Sequence, residues 1–179
     1  MVKRTITAIA ISMTLAANAS AEEVEVMLVD NLDGNLSGYC IDILGSKSNA
    51  TPERGIQAHT CYSYQGALGI DQVFDTDRFA ENVLYMPEFD VCVTANRLEA
   101  GETLDLAACD GSAAQLISLN ENGTLTPVAA SDMCFTVGEE TRLGRGGTSA
   151  HQIKSLTLQA CSDDLAAYQT WSFRASADS

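Results

Sequence analysis

Apolar and polar residues alternate in six short runs, and the runs come in pairs. In the first run of each pair, apolar residues stand at −1, +1 and +3 around a cysteine. These are Tyr39, Ile41 and Ile43 around Cys40; Val91, Val93 and Ala95 around Cys92; Met133, Phe135 and Val137 around Cys134. In the second run, the positions five, three and one before a cysteine are Ile56, Ala58 and Thr60 for Cys61; Leu104, Leu106 and Ala108 for Cys109; Leu156, Leu158 and Ala160 for Cys161. Successive side chains of a strand face opposite ways. Each run therefore predicts a half-buried strand, with its apolar parity inward and its cysteine on the outward parity.

A third feature closes each unit: Gln72-Val73-Phe74, Gln115-Leu116-Ile117 and Gln169-Thr170-Trp171. The apolar end of each triplet is expected to fill core, and the glutamine amide to satisfy backbone groups of the neighbouring loop. One three-part pattern repeated three times means one supersecondary unit copied around an axis. Asp33-Gly34, Asp110-Gly111 and Asn122-Gly123 are turn signals between strands. No long amphipathic helix is evident, and residues 65–71, 77–88 and 141–152 read as longer connections. Many short strands without helices point to an all-β sandwich or barrel, and the threefold repeat selects a threefold barrel.

The chain start adds a compartment. Lys3 and Arg4, an apolar run to about Ala17, and Ala19-Ser20-Ala21 have the form of a secretory signal peptide over residues 1–21. The apolar run is too short for a membrane span, which takes about 20 residues. Residues 22–179 are then the mature domain, secreted to an extracellular or periplasmic space, with no membrane insertion expected. Six cysteines behind such a leader are expected to form disulfides. The repeat selects Cys40–Cys61, Cys92–Cys109 and Cys134–Cys161, each closing a loop worth on the order of 3 kcal/mol. The formal charge of −14 argues against nucleic acid and anionic lipid as partners.

With the triplets and cysteine pairs in place, the chain resembles the ricin B-type lectin family, a β-trefoil of three repeats marked by Gln-x-Trp. The resemblance implies one β-trefoil domain over residues 22–179, with glycans or a polysaccharide as partner, no catalysis and no cofactor. Only the third triplet keeps tryptophan, and the first copy is lengthened between Cys61 and Gln72. A family sugar pocket takes an Asp two after the first cysteine, a Gln four before and an aromatic two before the second, and an Asn-Gln pair at the triplet. The first copy supplies Asp42, Gln57, His59, Asp71 and Gln72. The second offers Thr94, Asp105, Ala107 and Ala114-Gln115, and the third Thr136, Thr157, Gln159 and Tyr168-Gln169. One shallow carbohydrate site on the first repeat is therefore expected.

Strand parity agrees without reference to the family. Asp42 shares a parity with Cys40, as do Gln57 and His59 with Cys61, so a Cys40–Cys61 bond gathers them on one outer patch. A carboxylate accepts hydroxyl hydrogens, an amide donates and accepts, and a flat ring packs on the C–H face of a pyranose. Tyr62 and Tyr64 are further candidates for aromatic surface. An ordinary imidazole at His59 would make binding change between about pH 5 and 7. No metal site is expected: there is no Cys-x-x-Cys, the histidines lack a zinc-ligand spacing, and Asp30-x-x-Asp33-Gly34-Asn35 reads as a hairpin turn rather than a calcium loop. Two rivals keep the same fold. One is a receptor-binding subunit of a secreted toxin. The other is a protein-binding trefoil, such as a hydrolase inhibitor, acting through residues 141–152.

Overall fold

The computed structural model describes residues 22–45 and 49–175, and the expected leader lies outside the described residues. Its architecture is almost wholly β. The first repeat holds β1 (Glu23–Leu28), β2 (Tyr39–Ile43), β3 (Ile56–Thr60) and β4 (Val73–Asp75). The second holds β5 (Tyr85–Met86), β6 (Val91–Thr94), β7 (Asp105–Ala108) and β8 (Ile117–Leu119). The third holds β9 (Leu125–Pro127), β10 (Met133–Val137), β13 (Leu156–Ala160) and β14 (Trp171–Arg174), with β11 (Arg142–Leu143) and β12 (Gln152–Lys154) inserted between β10 and β13.

Three equivalent hairpins carry the repeat: β2–β3, β6–β7 and β10–β13. Their registers match, because Cys40 faces His59, Cys92 faces Ala107 and Cys134 faces Gln159. The three disulfides have the pairing expected from the repeat, with Cα separations of 5.0, 5.2 and 5.0 Å. The last strand closes on the first, β14 against β1, and the register partners Glu25 and Arg174 form an ion pair of 2.9 Å at that seam.

The inward parity is observed almost everywhere. All nine apolar residues around the first cysteines of the pairs are buried, and so are Phe74, Ile117 and Trp171. Ala108 and Ala160, at the ends of their strands, are exposed, whereas Thr60 at the same place in the first repeat is buried. The triplet glutamines each do one job three times. Each side-chain amide donates to a carbonyl of the second hairpin strand (Thr60, Ala108 or Ala160) at 3.0–3.1 Å. Each also donates to the outward side chain of the first strand: Asp42 at 2.9 Å, Thr94 at 3.4 Å, Thr136 at 2.9 Å. Each Oε1 accepts a loop N–H, from Tyr62, Asp110 or Ser162.

The outward parity differs. On the first hairpin strand it is buried in all three repeats, but the second strand is open in the second repeat, where Asp105 and Ala107 are exposed, and closed in the first, where Gln57, His59 and Cys61 are buried. The cause is the insertion in the third repeat. Strand β12 pairs with β3, Ile153 beside His59 and Lys154 beside Ala58, and β11 pairs with β12. Residues 141–154 are thus an arm of the third repeat that extends the hairpin sheet of the first. The outer patch expected from parity alone is covered by this arm.

Candidate functional site

The arm and the long connection after Cys61 wall a recess of about 980 Å³ over the β2–β3 hairpin. Gln57, His59 and Asp71 line it; Asp42 and Gln72 lie directly behind. The five residues expected from the sequence are therefore brought together, but in two layers.

Asp42 organises the inner layer. Its Oδ1 accepts from Gln57 Nε2 at 2.8 Å and its Oδ2 from Gln72 Nε2 at 2.9 Å. Burial, and then the nearby Asp71, push its pKa well above the ordinary carboxylate range. Gln57 continues outward, its Oε1 accepting from Arg142 Nη2 of the arm at 3.0 Å. A chain of hydrogen bonds thus runs from Arg142 through Gln57 and Asp42 to Gln72, and ends on Thr60 O. It fixes both faces of each amide.

His59 has a defined tautomer. Its Nδ1 lies 2.8 Å from Thr60 O, a distance that requires Nδ1–H to donate and leaves Nε2 as an acceptor. Asp42 Oδ2, at 4.0 Å from Nδ1, is beyond hydrogen-bond reach. Burial lowers the His59 pKa to about 4, and the charge of Arg142 acts the same way. The ring is therefore neutral from pH 5 to 7, and the window expected for an ordinary imidazole moves below it. Asp71, pushed up by burial and held back by its own backbone N–H, lines the recess and receives no hydrogen bond from another side chain among the described residues.

The aromatic surface is larger than His59 alone. Tyr62 and His151 also line the recess; the ring centroids of His59 lie 5.2 Å from each, and those of Tyr62 and His151 are 5.5 Å apart. Gly69 makes room for Tyr62: a Cβ there would meet Tyr62 Cδ2 at 2.3 Å. Tyr64 instead shares a 2.8 Å hydrogen bond with His151 Nε2 and props the arm from outside. Sequence reasoning missed Arg142, Arg145 and His151, because residues 141–152 read as a connection within the third repeat. The signal available was the length of the segment between β10 and β13, which exceeds its counterparts and carries two arginines and a histidine.

The second and third repeats build nothing comparable. Thr94 and Thr136 occupy the place of Asp42 and turn their hydroxyls back on Cys92 O and Cys134 O. Asp105, in the place of Gln57, binds Asn96 at 2.9 Å. The aspartates of the calcium-like stretch are in use as well. Asp30 caps the turn through Leu32 N–H, and Asp33 accepts from Tyr39, Thr141 and Lys154.

The second and third repeats also match a family profile. That of the ricin-type β-trefoil lectin domain matches residues 83–179, more than half of the chain. The chain belongs to this family of lectin domains. The match covers the second and third repeats and the arm, whereas the β2–β3 hairpin under the recess lies ahead of it. Solved structures extend the likeness over the first repeat. The β-trefoil lectin of the Vibrio vulnificus haemolysin/cytolysin, determined with N-acetyl-D-lactosamine bound, is 17% identical with a TM-score of 0.56, over 88% of this chain and 97% of its own. The C-half of the earthworm R-type lectin, determined with GalNAc, is 13% identical with a TM-score of 0.54, over 86% and 98%. The Abrus precatorius agglutinin is 15% identical with a TM-score of 0.60, over 90% of this chain and 51% of its own. At these identities the likeness is one of fold. No curated protein matches the chain. Among the described residues of this lectin domain, no helix is long and apolar enough to cross a membrane.

Proposed function

We infer that this lectin domain is a secreted, non-catalytic carbohydrate-binding protein with one sugar site, and that the site is the recess over the first repeat. The observation that carries the reading is the convergence of hydrogen-bonding groups and flat rings in one concave place. Gln57 and Asp71 offer polar atoms, and His59, Tyr62 and His151 offer ring surface. Asp42 and Gln72 hold this wall from behind. Sugar sites need that combination, because a pyranose presents hydroxyls at its edge and C–H groups on its face. The bonded pair Asp42–Gln57, missing from the other two repeats, supports a single site per chain. With one polar site the expected monovalent affinity is weak, around millimolar, or about 4 kcal/mol. Tight attachment then comes from multivalent glycans.

A glycan array probed with the mature protein tests the reading. Binding that disappears in Asp42→Ala while the fold persists is the expected result. A protein that ignores every glycan but captures a hydrolase or a toxin partner through residues 141–152 would transfer the function to a rival class.

A further inference from the structure

The wall of the recess has the wrong charge for its chain. The sequence carries 24 Asp and Glu against 10 Lys and Arg. Among the described residues, four cations each face a carboxylate: Arg78 with Glu81, Arg97 with Glu102, Lys154 with Asp33 and Arg174 with Glu25, at 2.6–3.1 Å. The other three, Arg54, Arg142 and Arg145, face none, and all three line the recess together with both histidines. One acid, Asp71, lines it with them, and burial disfavours its ionised form. Lys3, Arg4 and Lys47 lie outside the described residues.

The three guanidiniums are exposed and have no counter-ion among the described residues, although a chain rich in carboxylates has partners to spare. Their absence from this wall leaves the positive charge for something that arrives from outside. The arm is shaped to the same end. Arg145 is held at φ 51°, a left-handed conformation unusual for a residue with a Cβ, and Gly146 and Gly147 continue at positive φ. Arg142 spends one of its five N–H donors on Gln57 Oε1 and keeps the rest. Burial lowers the pKa of both histidines, and so do His151 and then Arg142 at His59 and Arg145 at His151, which leaves the arginines as the fixed charges of the wall.

We propose that the sugar taken by this recess is acidic: a pyranose bearing a carboxylate or sulfate, its anion set against Arg142 and Arg145 and its hydroxyls against Gln57 and Asp71. A planar guanidinium matches two oxygens of such an anion at once. The proposal rests on the binding site inferred above and specifies its ligand class. It differs from a general attraction to anions, since the rest of the surface is acidic and repels them.

The test is an array on which neutral glycans stand beside sialylated, uronic-acid and sulfated forms of the same cores. It is read with the full disulfide-bonded protein at about 50 and about 500 mM NaCl. Acidic members are expected to bind about tenfold more strongly than their neutral parents, with the excess shrinking in high salt. Arg145→Gln and Arg54→Gln should each reduce that excess at unchanged melting temperature, and the carboxylate and sulfate arms decide which acid is preferred. Equal binding of neutral and acidic members, indifferent to Arg145→Gln, overturns the acidic ligand and leaves the sugar site standing. Silence from every glycan overturns both. Acidic binding that survives Asp42→Ala and both arginine variants overturns the recess as its seat.

Discussion

The ammonium of Lys154 lies 3.1 Å from Asp33 Oδ1, and this contact fastens the arm of the third repeat to the first loop of the first. Lys154 is buried, stands over the Tyr39 ring at 5.4 Å and also donates to Glu139 O at 2.7 Å. Asp33 is more exposed. Its burial is slight, and hydrogen bonds from Thr141, Tyr39 and Lys154 hold its pKa down at about 2. Gln152 adds a second fastening, donating to Asp33 O and accepting from Asn35 N–H. These contacts join the β12–β3 pairing in holding the arm over the recess.

Asp33→Ala is therefore expected to act at a distance. It strips a buried ammonium of its carboxylate, which costs roughly 1–3 kcal/mol when one partner is half exposed. Trypsin should cut after Arg142 or Arg145 faster than in the parent, and glycan binding should fall although Asp33 lines no part of the recess. Unchanged cleavage rates would show that the arm is fastened elsewhere.

Asp42→Ala leaves the Gln57 amide without its acceptor inside the fold and the Gln72 amide with Thr60 O alone, a loss of about 1–3 kcal/mol. Thr94→Ala, at the equivalent place in the second repeat, is expected to cost less, because it removes the acceptor of a single amide bond, from Gln115, that is already long at 3.4 Å, whereas Asp42 accepts two bonds of 2.8 and 2.9 Å. Urea denaturation of the two variants compares them directly. Equal losses would mean that Asp42 is an ordinary scaffold residue.

The disulfides should be reduced in order of exposure. Cys40 and Cys61 are both buried, whereas Cys161 is exposed and Cys109 partly so. Brief thiol treatment followed by alkylation and peptide mapping is expected to label Cys134 and Cys161 early and Cys40 and Cys61 last. Early labelling of the first pair would contradict its burial.

Acid should weaken the fold through His59. Its pKa falls from 6.5 to about 4 on burial, so below pH 6.5 the unfolded chain takes up a proton that the folded one refuses. Stability is lost as pH falls through that interval, by up to about 3 kcal/mol. Asp42 and Asp71, both raised, work oppositely: their contribution is present at low pH and lost as pH rises through their folded values. Comparing the parent with His59→Gln at pH 7 and 4.5 isolates the imidazole, since the carboxyl contributions remain in both. The parent is expected to lose more stability than the variant. Sugar binding should stay level from pH 7 down to 5.5.

The sequence by itself determined the repeat, the strand parity, the disulfide pairing and the common face of Asp42, Gln57 and His59. Those features follow from neighbours along a strand and from one pattern read three times, both of which are local. Asp42, Gln57 and His59 had to meet because β2 and β3 form one hairpin across which Asp42 faces Gln57 and Cys40 faces His59. Only the tertiary structure decided that this patch is buried and walled, and that Arg142, Arg145 and His151 join it. His59 and His151 are 92 positions apart in different repeats, yet their rings meet at 5.2 Å. The physical reason is that β12 completes its backbone hydrogen bonds on the free edge of β3 in another repeat. A strand edge accepts any segment of suitable length, and the pattern along the chain does not name the edge it will find.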